Sequence, residues 1–512
     1  MQGQTARLSR RELLKYGAVG LGGLILPLGL KEAETLGGFG PGRPAVRRAG
    51  GGSSDITSPS VKHFDVDLPI PPVLQPVRSD STTDYYEVTM RQARVQILPN
   101  LTTTIWGYNG ITPGPTIVAR RGHRAVVRQI NQLPEPMSVH YHGGVTPALH
   151  DGYPENLVQP GASWDYEYPN VQAAATNWYH DHAVHTTARH VYMGLAAMYL
   201  VRDDLETSFN LPQGPYEIPL VLQDRIFDSS GALVYDNNDN SGVVGDVQLV
   251  NGAPWPRLPV FPRKYRFRLL NGANWRRYDL TLSNGQPFVM LGTESGFLRA
   301  PVSLPMIRLY QAERADVVID FSRVPVGSTV VLSNQSDEAQ GTGMADIMRF
   351  DVVPMPLGGT DDSQLPATLA QYEDLTTPQV VAQAVRTREF RFERSNGAYV
   401  INGQVWDRNR VDANPRYGDV EIWKFINSSG GWYHPIHVHL VDFQILDRDG
   451  LPPQPWERGR KDVVALGENN TARVLIKWDP QQYQGLTGRY VMHCHNIDHE
   501  DHDMMTQFEV LA

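Results

Sequence analysis

The residues best suited to chemistry lie near the C-terminus, in His493-Cys494-His495-Asn496-Ile497-Asp498-His499 and the following Glu500-Asp501-His502-Asp503-Met504-Met505. Cys494 is the only cysteine among 512 residues. A thiolate, two imidazoles and a thioether form the ligand set of a blue copper, with the Cys and two His roughly trigonal and the Met weakly axial. The stretch offers three of those four, Cys494, His499 and Met504. Met505 stands next to Met504 and reads as core packing. On an extended strand successive side chains point to opposite faces. His493 and His495 therefore face away from Cys494, free to serve a second centre a few covalent bonds from the first.

That second centre needs more ligands, and the histidine distribution supplies them. Ten of the 16 histidines fall in four clusters: His140-Tyr141-His142, His180-Asp181-His182, His434-Pro435-Ile436-His437-Val438-His439, and His493, His495 and His499 of the C-terminal stretch. Each cluster contains an H-x-H pair, which on a strand puts both imidazoles on one face. One such pair is weak evidence, whereas four predict that eight imidazoles converge. His434 lies outside the pairs and is free to turn toward Cys494. Imidazole suits copper, zinc and iron alike, and the neighbouring Cys/His/Met set selects copper. His63, His123, His150, His185, His190 and His502 read as surface or core residues.

A repeated framework must position these clusters. Asn109-Gly110, Asn251-Gly252 and Asn402-Gly403 each open a turn followed by a strand ending in Asn, at Asn131, Asn271 and Asn427. Spacings of 142 and 151 residues imply three copies of one β-domain. Two histidine clusters fall in the first copy and two in the third, which places the convergence at their interface. The strand around Tyr265–Leu270 alternates polar and apolar residues, predicting one solvated face. The 46 Gly and 38 Pro, with little helical periodicity, also indicate a turn-rich all-β protein. A length of 512 residues suits two to four domains. With 41% hydrophobic and 20% charged residues the composition is that of a soluble globular protein. The net charge of −9 excludes nucleic-acid binding through a basic surface, and one cysteine excludes an intramolecular disulfide.

Residues 1–30 resemble a twin-arginine export signal, with Arg10-Arg11 before an apolar run too short to span a bilayer. The chain is expected in the periplasm, outside the cell or on its surface, with no membrane association once mature. Residues 31–60 read as a flexible linker, 61–205, 206–356 and 381–512 as the three β-domains, and 357–380 as an interdomain linker.

These four motifs, in this order, resemble those of the multicopper oxidases: laccases, bilirubin oxidases and their relatives. Asp151-Gly152-Tyr153-Pro154-Glu155 and His499-Glu500-Asp501 are similar to the spore-coat laccase and phenoxazinone synthase types. The resemblance implies three cupredoxin-like Greek-key β-sandwich domains and four copper ions. It assigns a type 1 copper to His434, Cys494, His499 and Met504, a type 2 copper to His140 and His437, and two type 3 coppers to His142, His180, His182, His439, His493 and His495. Tyr141 stands where many members have Trp. The implied reaction couples oxidation of a small aromatic substrate (phenolic, aminophenolic or bilirubin-like) to reduction of dioxygen to water. Electrons are expected to enter at a solvent-facing edge of His499 or His434 and to pass from Cys494 to His493 and His495. Glu500 and Asp151 match positions given a proton-relay role. The alternative is oxidation of Cu(I) or Fe(II); the 13 methionines are scattered rather than gathered in an insertion, which favours organic substrates.

Overall fold

A computed structural model describes residues 56–236, 242–483 and 485–512. The export-signal segment and all but the last few residues of the expected 31–60 linker lie outside the described residues. Those last few are tied down: the Ser58 amide donates to the Asp246 carboxylate at 3.0 Å, and Ser58 Oγ accepts from the Phe227 amide at 2.8 Å. Among the described residues no helix is long and apolar enough to cross a membrane.

The strands form three pairs of sheets. The first pair has a five-stranded sheet built on Thr83–Val95 and Arg124–Asn131. Its partner sheet orders Ile117–Arg120, Ala196–Arg202, Ala175–Asp181 and Val139–His142. The second pair has seven and five strands. The third sets a five-stranded sheet containing Arg386–Ser395 and Val420–Asn427 against Val463–Leu466, His434–Val438, Gly488–Cys494 and Met505–Val510. Between the second and third pairs, residues 357–380 contain no strand. They are nonetheless packed, with Leu369 and Leu375 buried and the Leu375 amide donating to Gln444.

The threefold repeat holds atom by atom. Asn109, Asn251 and Asn402 take φ of 55°, 50° and 53°, and the following glycines 73°, 80° and 74°. Two successive positive φ values are what Asn-Gly supplies cheaply. Each Asn side chain then accepts from a strand amide, that of Thr89, Val221 or Arg391. In each copy the strand ending in Asn pairs in parallel with an earlier one: Met90 with Asn131, Leu222 with Asn271, Phe392 with Asn427. Those terminal asparagines tie the loops that follow. Asn271 Nδ2 donates to the carbonyls of Arg276 and Leu309, and its Oδ1 accepts from the Ala273 amide. Asn271→Ala leaves these buried groups without partners. It is expected to lower stability by about 2–4 kcal/mol, measured by urea titration.

One expectation is corrected. The strand Lys264–Asn271 has no solvated face; Arg266 and Arg268 are each 2% exposed. Arg266 clasps Asp316 through Nε at 2.8 Å, and both arginines also reach Glu206. Ion-pair partners from neighbouring segments replace water on the polar side of the alternation.

Candidate metal centres

Sheet register creates the first half of each histidine cluster. Val139–His142 runs antiparallel to Ala175–Asp181 with His140 opposite His180. His434–Val438 runs antiparallel to Gly488–Cys494 with His437 opposite His493. Two H-x-H pairs in matched register put their rings on one sheet face. The two sheets then meet and bring eight imidazoles together, every one at most 1% exposed.

The rings sort into groups. Nε2 of His182, His439 and His493 form a triangle with every edge 3.2 Å. A point at its centre lies about 1.8 Å from each nitrogen, a little inside the ~2.0 Å of a metal–imidazole bond. His142, His180 and His495 form a second triad whose ligand atoms lie within 4.8 Å of one another. His495 has neither ring nitrogen hydrogen-bonded, and His142 Nδ1 and His180 Nε2 also lack partners. Buried nitrogens left so are costly unless a metal takes their lone pairs. His140 and His437 remain, with Nε2 atoms 3.4 Å apart. His140 Nδ1 donates to the Asp151 carbonyl at 2.6 Å and His437 Nδ1 to the Asp462 carbonyl at 2.9 Å, which turns each Nε2 inward.

On the other face of the same strand, Cys494 packs in the apolar core of the third sheet pair with Ile436, Met492 and Met504. Its Sγ lies 3.3 Å from His434 Nδ1 and 3.8 Å from His499 Nδ1, and the two nitrogens are 3.3 Å apart. After Cys494 the chain turns at Asn496 into the helix Ile497–Asp501, which carries His499 back over the thiol. The Met504 amide donates to the His499 carbonyl at 3.1 Å, and the Cys494 amide to the Met504 carbonyl at 3.0 Å. This closes the loop with Met504 beside Cys494. Met505 packs elsewhere, with Tyr153 and Val491. The donor sets fit copper: soft sulfur with two imidazoles on one side, imidazoles alone on the other.

The expected solvent-facing edge of His499 or His434 is not there; both rings are 0% exposed. Tyr399 stacks on His499 at 4.0 Å, Trp432 meets its edge at 5.6 Å, and the Asn496 amide lies 3.1 Å from its Nε2. His434 Nε2 is covered by Ser429 Oγ at 2.6 Å. Trp432 and Arg394 form the outer layer, Arg394 lying 5.9 Å from the Trp432 ring.

The two expected relay carboxylates sit at the cluster. Glu500 lies 3.1 Å from His182 Nδ1 and 2.9 Å from His493 Nδ1, and Asp151 lies 2.7 Å from His439 Nδ1. A carboxylate thus stands against every ring of the 3.2 Å triangle, and at His439 the hydrogen bond to Asp151 fixes the tautomer. Burial works to raise both acids. In Glu500 it is overcome by His493 and His182, which hold the carboxyl down at about 2. Asp151 stays well above the usual carboxylate range. Asp181, between His180 and His182, points away from them and pairs with His190 at 2.8 Å, so His190 is a structural ion-pair partner.

Asp462 was missed from sequence. Its Oδ1 lies 3.3 Å from His142 Nε2, so it stands to His437 and His142 much as Asp151 stands to His140 and His439. Its signal is Lys461-Asp462 placed directly before the fully buried strand Val463–Leu466, where charges need dedicated partners.

Burial holds the imidazoles neutral: His434 and His180 fall from 6.5 to about 3 and His182 to about 4, with His140, His142, His437, His439 and His495 also pushed down. Burial also pushes the Cys494 thiol up, so its thiolate needs a cation beside it. Between about pH 3–4 and 6.5 the unfolded chain therefore binds more protons at these histidines than the folded one. Metal-free protein should keep its full histidine contribution above pH 6.5 and lose stability as pH falls through that window. Five buried carboxyls pushed up by burial, Asp151, Glu294, Glu338, Asp498 and Asp501, oppose this against the eight histidines pushed down. Urea midpoints at about pH 7.5 and 5.5 check it; a midpoint that holds or rises on acidification contradicts neutral burial.

The fold and the metal geometry agree with the comparisons. Multicopper oxidase family models match residues 89–206 and 371–512. The chain is 40% identical to the bilirubin oxidase of Albifimbria verrucaria over 88% of this chain and 82% of that protein. It is 36% identical to the laccase of Bacillus subtilis (strain 168) over 86% and 97%. The crystal structure of laccase from Pediococcus acidilactici Pa5930 superposes with a TM-score of 0.80 at 31% identity, covering 89% and 95%. The chain belongs to the multicopper oxidase family. It is an all-β, copper-dependent oxidoreductase of three cupredoxin-like sandwiches, with dioxygen as electron acceptor.

Proposed function

We propose that the chain is a laccase-like oxidase of phenolic, aminophenolic or bilirubin-like molecules. In this reading His434, Cys494, His499 and Met504 hold the type 1 copper, and His140 and His437 the type 2 copper. His142, His180 and His495 hold one type 3 copper, and His182, His439 and His493 the other. The observation that carries the reading is the fate of the residues beside Cys494: His493 enters one triad and His495 the other. Bound copper supplies one-electron redox steps and the four-electron reduction of dioxygen to water.

The chain's own residues do the rest. Trp432, half-buried, offers an aromatic edge through which a flat reductant passes electrons to the covered His499, on which the buried Tyr399 stacks. Cys494 hands each electron to its backbone, and His493 Nδ1 donates to the Cys494 carbonyl at 3.1 Å, a shortcut beside the covalent path. Glu500 and Asp151 have their pKa values pushed in opposite directions by their surroundings, Glu500 down beside His493 and His182 and Asp151 up by burial, which suits two carboxyls for different roles at one site. An N-terminal twin-arginine signal would take the folded enzyme to the periplasm, cell surface or medium; cell fractionation of an Arg10→Lys/Arg11→Lys variant tests this.

Oxygen uptake by copper-loaded protein tests the substrate class. 2,6-Dimethoxyphenol is expected to drive uptake well above that driven by Cu(I) or Fe(II). Uptake with the metal ions alone would move the chain to the metallo-oxidases.

A further inference from the structure

The second sheet pair contributes no histidine to the cluster, yet a buried arginine from it sits at the cluster's edge. Arg314 opens the strand Arg314–Asp320, and its side chain is 0% exposed. Its guanidinium clasps Asp462 with both arms, at 2.7 and 2.6 Å. Its Nε donates at 2.8 Å to the carbonyl of Thr176, on the strand that carries His180. One side chain thereby links all three sheet pairs. The residue before Asp462 repeats the device: Lys461 Nζ reaches both oxygens of Glu294 at 2.8 Å and Glu313 at 3.2 Å, all buried. Space for the Arg314 clasp also depends on Gly143, next to His142, where a Cβ would stand 2.8 Å from an arm of the guanidinium.

What the clasp holds matters more than the clasp. The Asp462 carbonyl accepts from His437 Nδ1 at 2.9 Å and its carboxylate lies 3.3 Å from His142 Nε2. His437 is one of only two rings left for the third position of the cluster, and its orientation rests on that carbonyl. We infer that Arg314, through Asp462, is the positioning residue for the type 2 copper, and that the second sheet pair controls occupancy of that ion. The inference rests on the type 2 assignment to His140 and His437. A two-ligand site gains least from its own ligands, so it is the most sensitive to how one of them is aimed. The type 1 set lies on the opposite face of the Cys494 strand and makes no contact with Asp462 among the bonds described above.

The test is copper content and spectroscopy of full-length, copper-loaded Arg314→Lys, which keeps the charge and loses the two-armed clasp. The expected result is an undiminished blue band, loss of one copper per chain and of the type 2 paramagnetic signal on dialysis against a mild chelator, and type 2 affinity weakened about 10–100-fold. Glu294→Gln, which weakens the Lys461 half and touches Arg314 only at its backbone amide while leaving the guanidinium clasp in place, should weaken the same copper by a smaller factor and covers failure of the first variant to fold. Arg266→Lys, which breaks an equally buried clasp on Asp316, should keep all four coppers. Full type 2 occupancy in both Arg314→Lys and Glu294→Gln overturns the inference, as does a parallel loss of blue and type 2 signals or an equal loss in Arg266→Lys. His140→Ala separates the two readings: if it leaves the type 2 signal intact, the underlying assignment fails; if it removes the signal while Arg314→Lys does not, the positioning role alone fails.

Discussion

Cys494→Ser is expected to bleach the copper-loaded protein entirely. The intense absorption near ~600 nm belongs to a copper–thiolate bond, and Cys494 is the only thiol in the chain. The hydroxyl keeps the buried volume nearly unchanged, so the fold should survive. The second effect is on turnover. Serine leaves the His493 and His495 rings in place but removes the sulfur through which electrons reach them, so oxygen uptake with dimethoxyphenol should fall to background while most of the trinuclear copper stays bound. Persistent blue colour would refute the type 1 assignment. Retained oxygen uptake would refute the route through this strand.

Glu500→Gln is the second large effect, and it separates proton handling from ligand support. The amide is isosteric and its oxygen can still accept from one of His182 and His493, but it cannot take up and release a proton. Oxygen reduction needs four protons inside a cluster buried from solvent, and general acid–base groups are typically worth about 10²–10⁴ in rate. The variant is expected to keep its blue band and copper content, to lose roughly 10²-fold or more in turnover, and to change the pH profile of turnover. A loss below about threefold with an unaltered pH profile would reduce Glu500 to a support for the two imidazoles.

Much of the site was legible because metal ligation restricts residue type. Only His, Cys and Met carry the required lone pairs, and strand geometry forces the H-x-H spacing, so four clusters announce themselves. The repeated Asn-Gly turns were legible for a similar reason, since two positive φ values in succession exclude most residues. The alternation in Lys264–Asn271 misled because polar residues normally imply water, whereas Arg266 and Arg268 are satisfied by Glu206, Glu217 and Asp316 from other segments. The cover over His499 was invisible for want of local pattern: Tyr399 arrives from a strand that precedes it by about a hundred residues, and one tyrosine in a strand says nothing about what it stacks on. Arg314 and Asp462 escaped because their pairing crosses between sheet pairs, leaving only a buried Lys-Asp before an apolar strand as a trace.

Anaerobic reductive titration of the copper-loaded chain tests most directly whether electron entry and dioxygen reduction share the single stretch around Cys494. Four electron equivalents per chain, with the blue band bleaching progressively as electrons distribute to the cluster, is the predicted result. Complete bleaching after one equivalent, with no further electrons accepted, would mean an isolated blue site and would contradict the account.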